Sequence, residues 1–376
     1  MNKKLIAIAI AGAMSAPFAA NAGEATIYGV MDVSVDHIDN DELMDDPATV
    51  ADESNGEESG LGVSSNSSRI GFKGSEDLGG GMKAIWQVET GVNVGNGTSQ
   101  WAGRNTFAGL AGGFGTVVLG RHDTPLKGTG RKADFFGNSV GDSRNVISAG
   151  GAIDLRPDNV IGYISPSMGG FNVFAAYVTD GSYLAGADDR MAENNDLDAY
   201  SLSLNYSAGP LYVSFATEEL GFSELDANND GNEDNPAAED QQTHRLVASY
   251  KMGAFKVAGL WQDMSDANGT DGMDQTTWGL GGSYTMGNNT VKAQYYTADE
   301  YDGTGNDDTG GNMFALGLDH AMSKQTKLYA VYAASDNDDA TNNYRLGGGG
   351  HGDTGPGTLA AGADASAFSV GMTHKF

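Results

Sequence analysis

Tyr200-Ser201-Leu202-Ser203-Leu204-Asn205-Tyr206-Ser207 is the stretch on which the fold turns. Its even positions are apolar or aromatic and its odd positions are Ser and Asn, a period of two that an extended strand produces and a helix does not. One face suits lipid and the other suits water. The same beat runs outward along the chain. Phe255, Val257, Gly259 and Trp261 alternate with Lys256, Ala258, Leu260 and Gln262, and Val291, Ala293 and Tyr295 alternate with Lys292, Gln294 and Tyr296. Helical periodicity is nowhere sustained. The alternating segments run to roughly ten residues, the length that a tilted strand needs to cross a bilayer.

Sixteen such segments can be marked: 26–37, 67–75, 82–92, 103–111, 116–121, 155–166, 170–179, 198–207, 210–219, 242–252, 254–263, 275–286, 289–298, 311–321, 325–334 and 365–376. An even number is what a closed antiparallel barrel of this class requires. Tight connections such as Gly112 to Gly115 and Gly287-Asn288 alternate with long ones at 38–66, 122–154, 220–241 and 335–364. Short turns at one end and long loops at the other are the pattern of an outer-membrane barrel. A soluble sandwich or a β-helix would also alternate. Against both stand Tyr177, Trp261, Trp278 and Tyr284 near strand ends, the positions of an interfacial aromatic girdle, a polar opposite face and a negative mean hydropathy.

Composition narrows the function. The 376 residues carry 21 Lys and Arg against 50 Asp and Glu, a net charge of −29, which disfavours nucleic acid as a partner. Cys is absent, so neither a disulfide frame nor a thiolate metal site is available. The six His show no metal-binding spacing and no Gly-x-Ser-x-Gly elbow occurs, so the reading is not an enzyme and needs no cofactor. The start is a leader: Met1-Asn2-Lys3-Lys4 is basic, Leu5 to Met14 is a short apolar core and Ala20-Asn21-Ala22 is a small-x-small cleavage site. We expect residues 1–22 to be removed as a signal peptide and 23–376 to form one barrel domain.

The loops at 38–66, 180–197, 220–241, 264–274, 299–310 and 335–364 hold 34 of the 50 acids and only two bases, Arg190 and Arg345. The negative charge thus collects at one end of the barrel, as solvated surface or as a vestibule that enriches cations. Within one of these loops Asp226, Asn228, Asp230, Asn232 and Asp234, with Gly231 at the turn, have the alternate oxygen ligands of a calcium loop, but position twelve is Ala237 where a Glu is expected.

Ser68-Arg69-Ile70-Gly71-Phe72-Lys73-Gly74-Ser75-Glu76-Asp77-Leu78-Gly79-Gly80-Gly81-Met82-Lys83-Ala84, the run from Gly113 to Arg121 followed by Thr124-Pro125, the run from Asn159 to Tyr163 and the ending Gly371-Met372-Thr373-His374-Lys375-Phe376 resemble the general porins of Gram-negative bacteria, particularly the trimeric neisserial and comamonad kind. The resemblance spans the whole mature chain. It implies a homotrimer of sixteen-stranded barrels set in outer-membrane lipid and lipopolysaccharide, with short periplasmic turns, long extracellular loops and a third loop folded inward. It also implies that terminal Phe376 is the signal read by the barrel-insertion machinery.

Parity supports the resemblance where the two meet. Arg69, Gly71 and Lys73 face opposite to Ile70 and Phe72, and an arginine facing lipid at mid-depth costs about 2–4 kcal/mol, so that row belongs to the lumen. Glu89 shares a face with Lys83 and Gln87, and Arg156 has the parity of Val160 and Gly162. By resemblance Arg69, Arg104 and Arg156 are constriction arginines, Glu89 is a wall acid and Asp134 is an acid on the infolded loop facing the arginines. Lys73, Arg131 and Lys132 join them as further candidates. Arg121 breaks the alternation and is expected either at the rim or beyond a local bulge at Gly120. The leading reading is a general diffusion porin for ions and small hydrophilic solutes. The alternatives are a porin selective for phosphate, organic acids or oligosaccharides, and a surface adhesion or receptor barrel.

Overall fold

The chain from Ala25 to Lys375 winds into a single antiparallel sheet that closes on itself, the first strand pairing with the last from Val30↔Lys375 to Asn40↔Ala365. The computed structural model describes residues 25–41, 58–179, 198–222, 239–303, 305, 307–348, 350–352 and 359–376. The leader 1–22 and the candidate calcium loop 226–234 lie outside them.

Sixteen strands make the wall: β1 (Ala25–Asn40), β2 (Glu58–Ser65 continued by Arg69–Gly79), β3 (Met82–Val92), β4 (Thr106–Gly112), β5 (Gly115–Arg121), β6 (Val160–Ile164), β7 (Phe171–Val178) and β8 (Ala199–Ala208) form the first half. The second half is β9 (Leu211–Leu220), β10 (Gln241–Met252), β11 (Phe255–Ser265), β12 (Gln275–Met286), β13 (Asn289–Ala298), β14 (Gly311–Ala321), β15 (Thr326–Asn337) and β16 (Ala365–Lys375). Each pairs with its sequence neighbours, and a two-residue segment, Ser99–Gln100, adds a short arm against the end of β3. Leu202, Leu204, Leu246, Trp261, Leu280, Phe314, Leu316 and Val370 are exposed on the outer face, the apolar band that lipid covers. Aromatic residues meet across strands near both ends of that band, as in Tyr177 with Tyr200 and Phe255 with Tyr284.

Two departures from the expected boundaries have physical causes. The segment 155–159 is not strand, because Pro157 has no N–H to give a ladder and Asn159 adopts φ +53, so β6 begins only at Val160. The stretch 58–65, expected as loop, is strand, with Val63 opposite Val35 and Leu61 opposite His37. Between the two pieces of β2 the ladder passes from Val33↔Ser65 to Val30↔Arg69, three steps on β1 against four on β2. That single extra residue is a β-bulge, where Ser67 takes φ +53 and the carbonyl of Asp32 accepts from the amide of Asn66 and the hydroxyl of Ser68.

The apolar core lies inside the barrel. Phe136, Val140, Val146 and Ile147 of the loop 122–159, together with Tyr344 and Leu346 of the last long loop, pack against Val247, Leu260, Tyr296, Met313 and Val331 of the wall. Both loops therefore occupy the lumen.

Candidate pore constriction

The loop 122–159 enters the barrel through a local helix signal. Thr124 accepts the amide of Lys127 at 3.4 Å and Pro125 occupies the first turn, which starts helix α1 (Pro125–Gly130). A second short helix, α2 (Arg144–Ile147), follows further along the loop. Backbone buried in a lumen must find partners, and the wall supplies them. Ser201 of β8 accepts the amide of Leu126 at 3.2 Å. Gln294 of β13 accepts the amide of Phe135 at 2.9 Å and donates to the carbonyl of Gly141 at 2.7 Å, while Gln262 of β11 donates to the carbonyl of Ile147 at 3.0 Å. The strongest tie is ionic: Arg245 of β10 and Asp154 meet at 2.6 Å with side chains 0 % and 4 % exposed.

β1 to β4, together with Asp123 and Lys127 at the start of α1, carry a cluster of charged side chains. Glu89 on β3 accepts Arg104 Nε at 2.5 Å and the Tyr28 hydroxyl at 2.9 Å, and Arg69 Nε lies 3.8 Å away. Gly71 makes this possible, since a Cβ there would come within 2.3 Å of the Tyr28 ring that crosses it to reach Glu89. A second carboxylate, Asp123, receives Arg156 Nη2 at 2.9 Å and Lys127 Nζ at 3.3 Å, and Asn105 steadies the pair by accepting Arg156 Nε at 2.9 Å and donating its Nδ2 to Asp123 at 3.3 Å. Burial works against charge on Asp123, but Lys127, Arg156 and Arg131 outweigh it and hold the carboxyl down to about 2. Burial pushes the Lys127 ammonium down to about 8, against the pull of Asp123. Among the described residues this cluster sets Arg69, Arg104, Arg131, Arg156 and Lys127 against Glu89 and Asp123, so its net charge is positive.

The structure thus brings Arg69, Arg104, Arg156 and Glu89 together. Lys73 is beside them, its ammonium 5.0 Å over the Tyr28 ring, and Arg131, exposed at the end of α1, adds its charge to Asp123 and Arg156. Arg156 gets there from the loop and not from a strand. Lys132 is placed elsewhere, over Tyr212 at 5.7 Å, with its carbonyl accepting Lys256 Nζ.

The expectation that Asp134 faces the arginines is corrected. Its Oδ1 accepts the amide of Phe136 at 2.8 Å, and burial beside Asp142 holds its carboxyl above the usual range, which makes it a poor counter-charge. Asp123 takes that role. The sequence carried its signal in Thr124-Pro125, a helix start that places Asp123 and Lys127 four residues apart on one side. Arg121 ends β5 as a half-exposed residue bound to Asp158 at 2.7 Å.

Among the described residues no group of three or more His, Asp or Glu is placed to hold a metal ion. Comparison with known proteins agrees with this wall-and-loop geometry. The family model of the Gram-negative porin matches residues 6–340. The chain is 31 % identical to outer membrane porin protein 32 of Delftia acidovorans over the full length of both, and 30 % identical to major outer membrane protein P.IB of Neisseria gonorrhoeae over 87 % of this chain and 91 % of that one. A solved anion-selective porin from Comamonas acidovorans superposes with a TM-score of 0.71 at 28 % identity, covering 94 % of this chain and all of the other. With a closed sixteen-stranded wall, a loop tied inside it and relatives that match it from end to end, the chain belongs to the Gram-negative porin family of the outer membrane.

Proposed function

We propose that this channel passes small hydrophilic solutes passively and that its narrowest part favours anions. The observation that carries the reading is the surplus of Arg69, Arg104, Arg131, Arg156 and Lys127 over Glu89 and Asp123, held between low-dielectric walls where a fixed charge is felt across the whole gap. The anion selectivity named for the Comamonas porin is consistent with it. The acidic outer loops act in the opposite sense, but their field reaches only about 3 Å at 1 M salt. Reversal potentials across a planar bilayer in asymmetric KCl near 1 M test the reading: chloride permeates faster than potassium, and a potassium preference at that salt would defeat it.

The resemblance to trimeric porins also supports three barrels side by side, joined through the apolar outer face, and export by way of the leader 1–22. Native mass spectrometry of the detergent-solubilised protein would then show trimers beginning at Gly23. Monomers alone, or an intact leader, would reject the respective part.

A further inference from the structure

The last long loop also turns into the barrel. Tyr344 is buried, its hydroxyl accepting from Gln275 Nε2 of β12 at 2.9 Å. On the far side His351 Nε2 lies 3.1 Å from Asp36 Oδ2 of β1, both side chains enclosed. Between these anchors the loop passes beside α2 of the infolded loop, and the two leave a cavity of about 260 Å³ lined by Arg144, Asn145, Ser148, Asn342, Asn343 and Arg345.

The chemistry of the lining is specific. Two guanidinium groups, three amides and a hydroxyl face the space, and none of its described lining residues is acidic, although the outer loops around it are the most acidic part of the chain. Arg345 is exposed, one of two bases in those loops. Arg144 is nine-tenths buried and held in place by Asp142, with Nε at 3.0 Å and Nη2 at 2.5 Å. Asn145 is 3 % exposed; its Nδ2 donates to the carbonyl of Val140, but its Oδ1 is buried with no hydrogen-bond partner. That oxygen points toward Gly348 in the lining, where an added Cβ would come within 3.1 Å of it. The site therefore offers positive charge for an anionic group beside an acceptor that needs an O–H or N–H donor.

We propose that this cavity is a vestibular binding subsite for a small anion that also carries hydroxyl groups, of the sugar-acid class. Arg345 and Arg144 receive the carboxylate, while Asn145 Oδ1 and the amide of Asn343 take the hydroxyls. The subsite rests on the anion-favouring reading of the constriction, since a solute captured above it passes through it next.

The test uses the full-length protein in planar bilayers at 0.1 M KCl with sodium gluconate added on the outer side. Gluconate lowers the single-channel current along a saturating curve, whereas acetate, which has the charge alone, and glycerol, which has the hydroxyls alone, do not saturate. Arg345→Gln raises the half-blocking gluconate concentration about tenfold, the size of one charge-assisted contact. Gly348→Val, which puts a side chain into the cavity against Asn145, abolishes saturation. Both variants keep the native reversal potential in 1 M KCl. A linear response to gluconate, or half-block unchanged in both variants, overturns the subsite. Potassium preference of the unmodified channel at 1 M KCl with saturable block intact overturns the reading of the constriction and leaves the subsite standing.

Discussion

Arg104 Nε sits 2.5 Å from Glu89 Oε1, and Arg69 reaches the other oxygen of the same carboxylate at 3.8 Å. One acid is shared by two guanidinium groups, so one positive charge is left over on that side of the gap. At Asp123 the arithmetic repeats, with Arg156 and Lys127 converging on one carboxylate. The basic surplus is therefore built from pairs that share too few acids, and each shared acid fixes its arginines in place.

Replacing Arg69, Arg104 and Arg156 together by Ser leaves Arg131 and Lys127 against Glu89 and Asp123, a balanced set. The chloride-to-potassium permeability ratio in KCl falls several-fold, to neutral or below, and conductance rises as three long side chains leave the gap. An unchanged reversal potential in the triple variant would contradict the assignment of these residues to the pathway.

Lys127 gives the constriction a pH dependence. Burial lowers its ammonium to about 8, while Asp123, at about 2, stays ionised throughout the accessible range. Below about pH 7 Lys127 is charged, and as pH rises through 8 it loses its proton and the cluster loses one positive charge. Anion preference declines between about pH 7 and pH 9. Titration of the reversal potential shows this step, and Lys127→Gln starts from a lower preference and removes it. A step of equal size in that variant means that another group titrates.

The outer loops and the constriction pull in opposite directions over different distances. A mouth field extends about 30 Å at 10 mM salt and about 3 Å at 1 M, whereas charges facing each other in a narrow gap are screened less. At a fixed concentration ratio, selectivity shifts from cation preference at ~10 mM toward anion preference at ~1 M. Constant selectivity across the series reduces the acidic loops to solvated surface.

The bond between Arg245 and Asp154 holds the loop 122–159 to the wall. Arg245→Met leaves Asp154 buried without its partner, at a cost of about 3–5 kcal/mol, while the strand ladder on either side is untouched. The loop comes away from β10 but the barrel persists: protease cuts within 122–159, the single-channel current flickers, and the heat-stable barrel band on a gel remains. Adding Asp154→Asn to Arg245→Met recovers part of the steady current. Loss of the whole barrel in the single variant would show that the pair stabilises the wall itself.

Much of the barrel was legible because lipid and water impose a period of two on each strand, and in the sequence 200–207 apolar and polar residues alternate without exception. The loops obey no such period. Leu61 and Val63 alternate too, but so near the acids of the rim that the alternation is submerged, and the bulge after Ser65 makes 58–65 out of step with 69–79. For the site, Arg69 and Glu89 could be placed by parity because they sit on strands. Asp134 could not, because a loop residue's direction depends on partners such as Phe136 and Gln294, which lie beside it only after folding.

The extra residue in β2 does more than bend it. Val63 and Phe72 both face outward although nine positions apart, while Val35 and Ile27, their partners on β1, are eight apart. The strand changes phase in mid-membrane, so its upper and lower halves are two independent phrases joined by one silent beat. Residues can be exchanged above Asn66, or inserted before Glu58, without turning Arg69 away from Glu89, because the lower half is held by its own pairing with β1, from Val30↔Arg69 to Ala25↔Gly74. Deleting that one beat would instead rotate one half of the strand by a full side, carrying either Leu61 and Val63 into water or Arg69 and Lys73 into hydrocarbon. A surface facing a changing exterior can thus drift in length and composition above a constriction whose orientation stays fixed.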